Sequence, residues 1–98
     1  MSKPKFVSLK GFLSFEILHL LSKKRFCGDE LAVLIGEKKL GKLTPGTIYP
    51  ALKTLRKNKL IYYNQEGRKK IYKLTRKGNE EYKTVKKNFR KIYRDIFK

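Results

Sequence analysis

The chain has 98 residues but only one cysteine, one histidine, eight acidic residues and no tryptophan, and each shortage closes off a class of function. A single cysteine forms no intramolecular disulfide, so a small secreted domain stapled by bridges is excluded and a reducing compartment is expected. One His, one Cys and no Gly-rich phosphate loop leave little for chemistry. The only closely spaced acids of the second half, Glu80 and Glu81, are adjacent and would point apart on a helix. The chain is therefore not read as an enzyme, and no catalytic residue, metal site or cofactor is expected. No apolar run approaches the ~20 residues of a membrane span. The N-terminal "MSKPKFVSLKGF" also lacks the long apolar stretch of a signal peptide. The expectation is a soluble, cytoplasmic protein with no membrane partner.

What the chain has in excess is positive charge. Lys and Arg number 26, for a net charge of +18, and a field of that strength favours a polyanion as partner. The charge is uneven, since residues 53–98 hold 17 bases and 4 acids against 9 and 4 in residues 1–52. The second half is thus expected to meet the partner first. At 98 residues there is one domain, and its single core buries little more than ~60% of the surface of the unfolded chain.

Periodicity gives the order of elements. Residues Ser8 to Lys24 carry a wide apolar stripe (Phe12, Leu13, Phe15, Ile17, Leu18, Leu20, Leu21) that predicts a largely buried first helix; the lone His19 within it is given no function. Phe26 and Cys27 fit a stub strand, with Cys27 a small buried residue. A short second helix follows, with Asp29 as N-cap, Leu31, Leu34 and Ile35 inward, and Gly36 or Gly41 at its end. In "LTPGTIYPALKTLRKNKLI" (Leu43 to Ile61) the apolar set Ile48, Leu52 and Leu55 marks a third helix. Pro50 has no N–H for the carbonyl of Gly46, so the regular helix is expected from about Ile48 to Asn58, with Thr47 as N-cap after a tight Thr-Pro-Gly turn. "LIYYNQ" and "RKKIYKL", separated by Glu66-Gly67, read as a hairpin with a basic tip. Thr75 then caps a last helix whose apolar positions Tyr82, Val85, Phe89, Ile92 and Ile96 are spaced 3, 4, 3 and 4, with Tyr93 and Phe97 widening the seam.

Helix, stub, helix, basic helix, hairpin, long helix is the order of a winged helix-turn-helix. The fold class is therefore mainly α with a small β-hairpin: a winged helix-turn-helix domain over residues 1–74 and a long C-terminal dimerisation helix over residues 75–98. Such a fold seats a helix in the major groove and lets the hairpin reach the flanking backbone. Double-stranded DNA is the expected partner. Its candidate contacts are Thr44, Thr47, Tyr49, Lys53, Arg56 and Lys57 on the third helix and Arg68, Lys69 and Lys70 on the wing. A small core leaves the seam of Tyr82, Val85, Phe89, Ile92, Tyr93 and Ile96 to a second copy, which predicts a homodimer. Tyr62, Tyr63 and Tyr72 are assigned to packing of the sheet, and the cations of the last helix to a solvated face.

The segments "LTPGTIYPALKTLRKNKLI" and "GRKKIYKLTRKG" resemble the PadR family of winged-helix transcriptional regulators. The resemblance is carried by Gly46, Thr47, Ile48, Tyr49, Pro50, Leu52 and Leu55, then Leu60, Ile61, Tyr72, Leu74, Thr75 and Gly78. Family members usually open the second helix with Gly-Tyr-Glu, whereas this chain has Gly28, Asp29 and Glu30. The resemblance implies a homodimer joined through the terminal helix that binds pseudo-palindromic operator DNA and represses transcription until an effector loosens it. A small-molecule effector is possible but not indicated, because no Trp is present to build an aromatic pocket. The alternatives kept open are a winged helix that binds RNA or a protein partner, and a non-specific architectural DNA binder.

Overall fold

A computed structural model describes residues 9–37 and 45–96; Ser8, Gly41, Thr44 and Phe97, all invoked above, lie outside the described residues. Four helices and a three-stranded antiparallel sheet follow one another as α1 (Leu9–Lys23), β1 (Phe26–Cys27), α2 (Gly28–Glu37), α3 (Pro45–Lys57), β2 (Ile61–Glu66), β3 (Lys69–Leu74) and α4 (Arg76–Ile96). The stub strand is present. Phe26 pairs with Tyr72 and Cys27 with Ile71, so β1 and β2 flank β3 in the order β1-β3-β2.

The largest fully buried side chains are Ile17 of α1, Leu31 and Ile35 of α2, and Ile48 and Leu52 of α3. Each is worth about 1.5–3 kcal/mol of burial. Together they clamp the three helices about one centre, and Leu60, Ile61 and Tyr72 close it from the sheet side. This core fixes which face of α3 looks outward.

Two helix starts differ from the sequence expectation. α2 leaves β1 with no linker and begins at Gly28, one residue before the expected cap. Its start is closed by Glu30, whose Oε1 accepts the Cys27 N–H at 2.9 Å. That is the reach-back half of a capping box, and it frees Asp29 from the capping role. Gly36 lies inside α2 rather than at its end. α3 in turn starts at Pro45, three residues earlier than expected, with Pro50 inside it. Proline suits a first helical position because its φ is pre-set and its missing N–H has no helical acceptor there. The later Pro50 deprives only the Gly46 carbonyl, and Gly46 is exposed to water.

The end of α3 and the start of α4 form one hydrogen-bonded joint. Leu60 N–H donates to the Leu55 carbonyl at 3.0 Å and Lys59 N–H to the Arg56 carbonyl at 2.9 Å, a Schellman closure that puts Lys59 at φ 61°. Thr75 clasps this turn: its N–H donates to the Leu60 carbonyl at 3.0 Å and its hydroxyl to the Lys59 carbonyl at 2.6 Å. The same Thr75 Oγ1 accepts the Gly78 N–H at 2.9 Å, so Thr75 caps α4 as expected. Gly78 packs so tightly on the turn that a Cβ there would stand 1.9 Å from the Leu60 carbonyl oxygen. The Thr-x-x-Gly pattern thus serves to dock α4 onto the helix-turn-helix.

Further along α4, part of the seam is already covered within the protomer. The Phe15 ring lies 5.5 Å from that of Tyr82 and 4.6 Å from that of Phe89, and His19 Nδ1 is 2.5 Å from the Tyr82 hydroxyl. Tyr82 and Phe89 are buried as a result. The expectation that a second copy covers these rings counts one apolar face on α1, whereas α1 is apolar on the side toward α4 as well. Val85 and Ile92 are half-buried, while Tyr93 and Ile96 are 43% and 62% exposed.

Candidate nucleic-acid interface

With Ile48, Leu52 and Leu55 held in the core, the 3.6-residue period leaves Thr47, Lys53 and Lys57 on the outer face of α3, all exposed. Arg56 is exposed too, but its guanidinium carbon sits 4.8 Å from the centre of the Tyr63 ring. Lys70 Nζ lies 4.9 Å from the same ring. Tyr63, itself 5.6 Å from the Tyr72 ring, is therefore a platform between the helix and the wing. Cation–π contacts of this kind are worth about 0.5–1 kcal/mol at exposed sites, enough to orient Arg56 and Lys70 without fixing them.

The wing tip is a two-residue loop of Gly67 and Arg68 between paired Glu66 and Lys69. Gly67 has φ 62° and Arg68 does not share the positive sign, the pattern of a II′ hairpin turn, in which glycine occupies the first loop position. Arg68, Lys69 and Lys70 are all exposed.

Tyr49 occupies a corner between these two elements. It is 41% exposed, its hydroxyl donates to Asp29 Oδ1 at 2.9 Å, and its ring lies on Gly28, where a Cβ would come within 2.8 Å of Tyr49 Cε1. The hydrogen bond to Asp29, helped by desolvation, pushes the Tyr49 phenol above its usual pKa of 10.0. A cavity of about 270 Å³ joins this pair to the wing, with Asp29 and Tyr49 on one side and Arg68, Lys69 and Lys70 on the other. The fold thus assembles Tyr49 with the wing cations, and leaves Thr47, Lys53 and Lys57 as a separate strip along α3.

Two residues of this surface escape a reading of the sequence. Asp29 is one; nothing in its neighbours announces a partner twenty positions away. Tyr62 is the other, placed by sequence in the packing of the sheet but 43% exposed. Strict alternation along β2 puts it opposite Tyr63 and is the available signal.

A second concavity, of about 700 Å³, runs between α1 and α4 under the rings of Phe15, Tyr82, Phe89 and Tyr93. Aromatic lining was tied above to Trp, and four other rings supply it here. Among the described residues no group of His, Cys, Asp and Glu could hold a metal ion, and no helix is long and apolar enough to cross a membrane.

Residues 17–84 match the model of the transcriptional regulator PadR-like family. Among solved structures, the chain is similar to a PadR family transcription regulator from Clostridium difficile R20291, at 31% identity and TM-score 0.76, covering 87% of this chain and 94% of that one. It is similar to a PadR-like transcription factor from Bacteroides fragilis at 27% identity and TM-score 0.79, covering 89% and 88% of the two chains. A Streptococcus transcriptional regulator gives 26% identity and TM-score 0.79, with 90% and 91% covered. Comparison with curated proteins finds no match.

Proposed function

From the premise that this chain belongs to the PadR-like family of transcriptional regulators, we propose that it is a cytoplasmic repressor that binds duplex DNA sequence-specifically as a homodimer. The observation that carries this reading is the uncovered basic face of α3, anchored from behind by Ile48, Leu52 and Leu55 and flanked by the Arg68–Lys70 tip. In this reading residues 1–74 dock on DNA, with Thr47 and Lys53 toward base edges, Thr44 near the helix start, and Lys57, Arg68 and Lys69 on phosphates. Arg56 and Lys70 approach the backbone from their shared seat on Tyr63. Residues 75–98 pair two protomers, and the second copy lies against Tyr93, Ile96 and the edge of the α1–α4 groove.

The experiment is a salt-series titration of a duplex selected from a random pool, an unselected duplex and single-stranded RNA. Changing Arg68, Lys69 and Lys70 together to Ala should weaken both duplexes alike and reduce the salt slope by roughly 0.9 for each phosphate that is no longer neutralised. Thr47→Ala should instead narrow the gap between the selected and unselected duplex, by about 1–3 kcal/mol if its side chain meets a base. One observation favours an RNA reading, the exposed ring of Tyr62. RNA binding as tight as the selected duplex at about 0.15 M ionic strength would replace the DNA proposal with it.

A further inference from the structure

A chain with 26 basic and 8 acidic residues is attracted to any duplex, because phosphate contacts carry affinity without sequence information. Specificity then requires something that opposes the wrong complex. The corner of α2 and α3 holds such a feature. Asp29 is exposed in the first turn of α2, the end of a helix where free amides would otherwise draw a phosphate. Here the chain's own acids occupy that end: Glu30 takes the Cys27 amide and Asp29 adds a second carboxylate, held by the Tyr49 hydroxyl at 2.9 Å. Gly28 leaves room for the Tyr49 ring and for nothing larger than hydrogen on its own α-carbon, so Tyr49 is seated by α2 on one side and by Asp29 on the other. In helix-turn-helix docking the first helix crosses the backbone while the second enters the major groove.

We infer that Asp29 is a specificity-determining residue of the DNA interface: it seats Tyr49 and sets a carboxylate at the rim of the groove that repels phosphate and is satisfied only by an amino group on a base edge. A carboxylate accepts hydrogen bonds and donates none, and in the major groove the donors are the amino groups of cytosine and adenine. The wing cations across the same cavity pull the duplex in, and Asp29 discriminates against complexes in which a phosphate, or a base edge with no donor, faces it. The inference rests on the DNA reading proposed above.

The test uses the full chain and its variants Asp29→Asn and Tyr49→Phe, each checked for folding by circular dichroism and each carried through selection from a random duplex pool. Asp29→Asn is isosteric and still accepts from Tyr49, so it removes the charge and keeps the seat. It should bind unselected duplex about two- to fivefold more tightly, the scale of an exposed charge interaction. Its selected sites should lose a cytosine or adenine preference at one position per half-site that the parent chain retains. Tyr49→Phe should leave affinity for unselected duplex unchanged and weaken binding to the parent's selected site. In the DNA-free protein, the raised Tyr49 ionisation, followed by phenolate absorbance, should fall toward the ordinary value in Asp29→Asn. If Asp29→Asn binds unselected duplex no more tightly, or selects the same bases as the parent, the inference is overturned while the DNA reading stands. A parent chain that enriches no site at all overturns the DNA reading, and this inference with it.

Discussion

Gly78→Ala should destabilise this protein, although the same change in an ordinary exposed helix is favourable by about 1 kcal/mol. The added Cβ would lie 1.9 Å from the Leu60 carbonyl oxygen, which is backbone, so no side-chain rotation relieves it. To reach a tolerable contact the first turn of α4 must retreat by about 1 Å from the end of α3. That retreat strains the Thr75 N–H bond to Leu60 at 3.0 Å, the Thr75 hydroxyl bond to Lys59 at 2.6 Å and the Lys77 ammonium bond to the Asn58 carbonyl at 3.2 Å. At about 0.5–1.5 kcal/mol each, their weakening costs about 2–4 kcal/mol, against the gain of about 1 kcal/mol in helix propensity. The net loss of about 1–3 kcal/mol should appear as a lower urea midpoint, and as a fall in Tm of about 4–8 °C for each kcal/mol in a domain of this size. Measurements belong at one fixed protein concentration, because a dimer's apparent stability depends on it. A midpoint that rises on Gly78→Ala would refute the close joint between α3 and α4.

Three further outcomes follow from the same geometry. Lys59 sits at φ 61°, the glycine position of its helix closure, so Lys59→Gly should raise stability by about 1 kcal/mol; a lower urea midpoint would contradict this. Glu30 is held below its usual pKa of 4.5 chiefly by the Cys27 N–H. Its contribution is therefore present above pH 4.5 and declines as pH falls through the lowered value. Relative to Glu30→Gln, which keeps an acceptor but does not titrate, the parent's urea midpoint should decline between about pH 6 and about pH 3; a constant difference would refute the bond's role. Tyr93→Asp with Ile96→Asp alters two exposed residues and should yield folded monomers in sedimentation, whereas Phe89→Asp, placed against Phe15, should unfold the chain. A dimer that persists in the first variant would remove these side chains from the interface.

By itself the sequence determined the elements and their order. Apolar spacing marked all four helices, Gly67 marked the hairpin turn, and Thr75 marked the last cap, because each rests on interactions within a few residues of chain. It also determined the family, since the Gly46–Leu55 and Tyr72–Gly78 patterns stand for local turns and caps. The start of α3 was misplaced because the cost of Pro50 depends on whether Gly46 faces water, and only the packed structure settles that. Tertiary structure alone decided the pairings between distant residues: Asp29 with Tyr49, Tyr63 beneath Arg56 and Lys70, and Phe15 against Tyr82 and Phe89. Such pairs leave no periodic trace, for they arise only when the Ile17–Leu31–Ile48 core sets the helices at one angle. Tyr82 and Phe89 show the difference most plainly. Their spacing announced an apolar seam, but whether α1 or another molecule covers it is a question of where α1's second face points, and the fold turns that face inward.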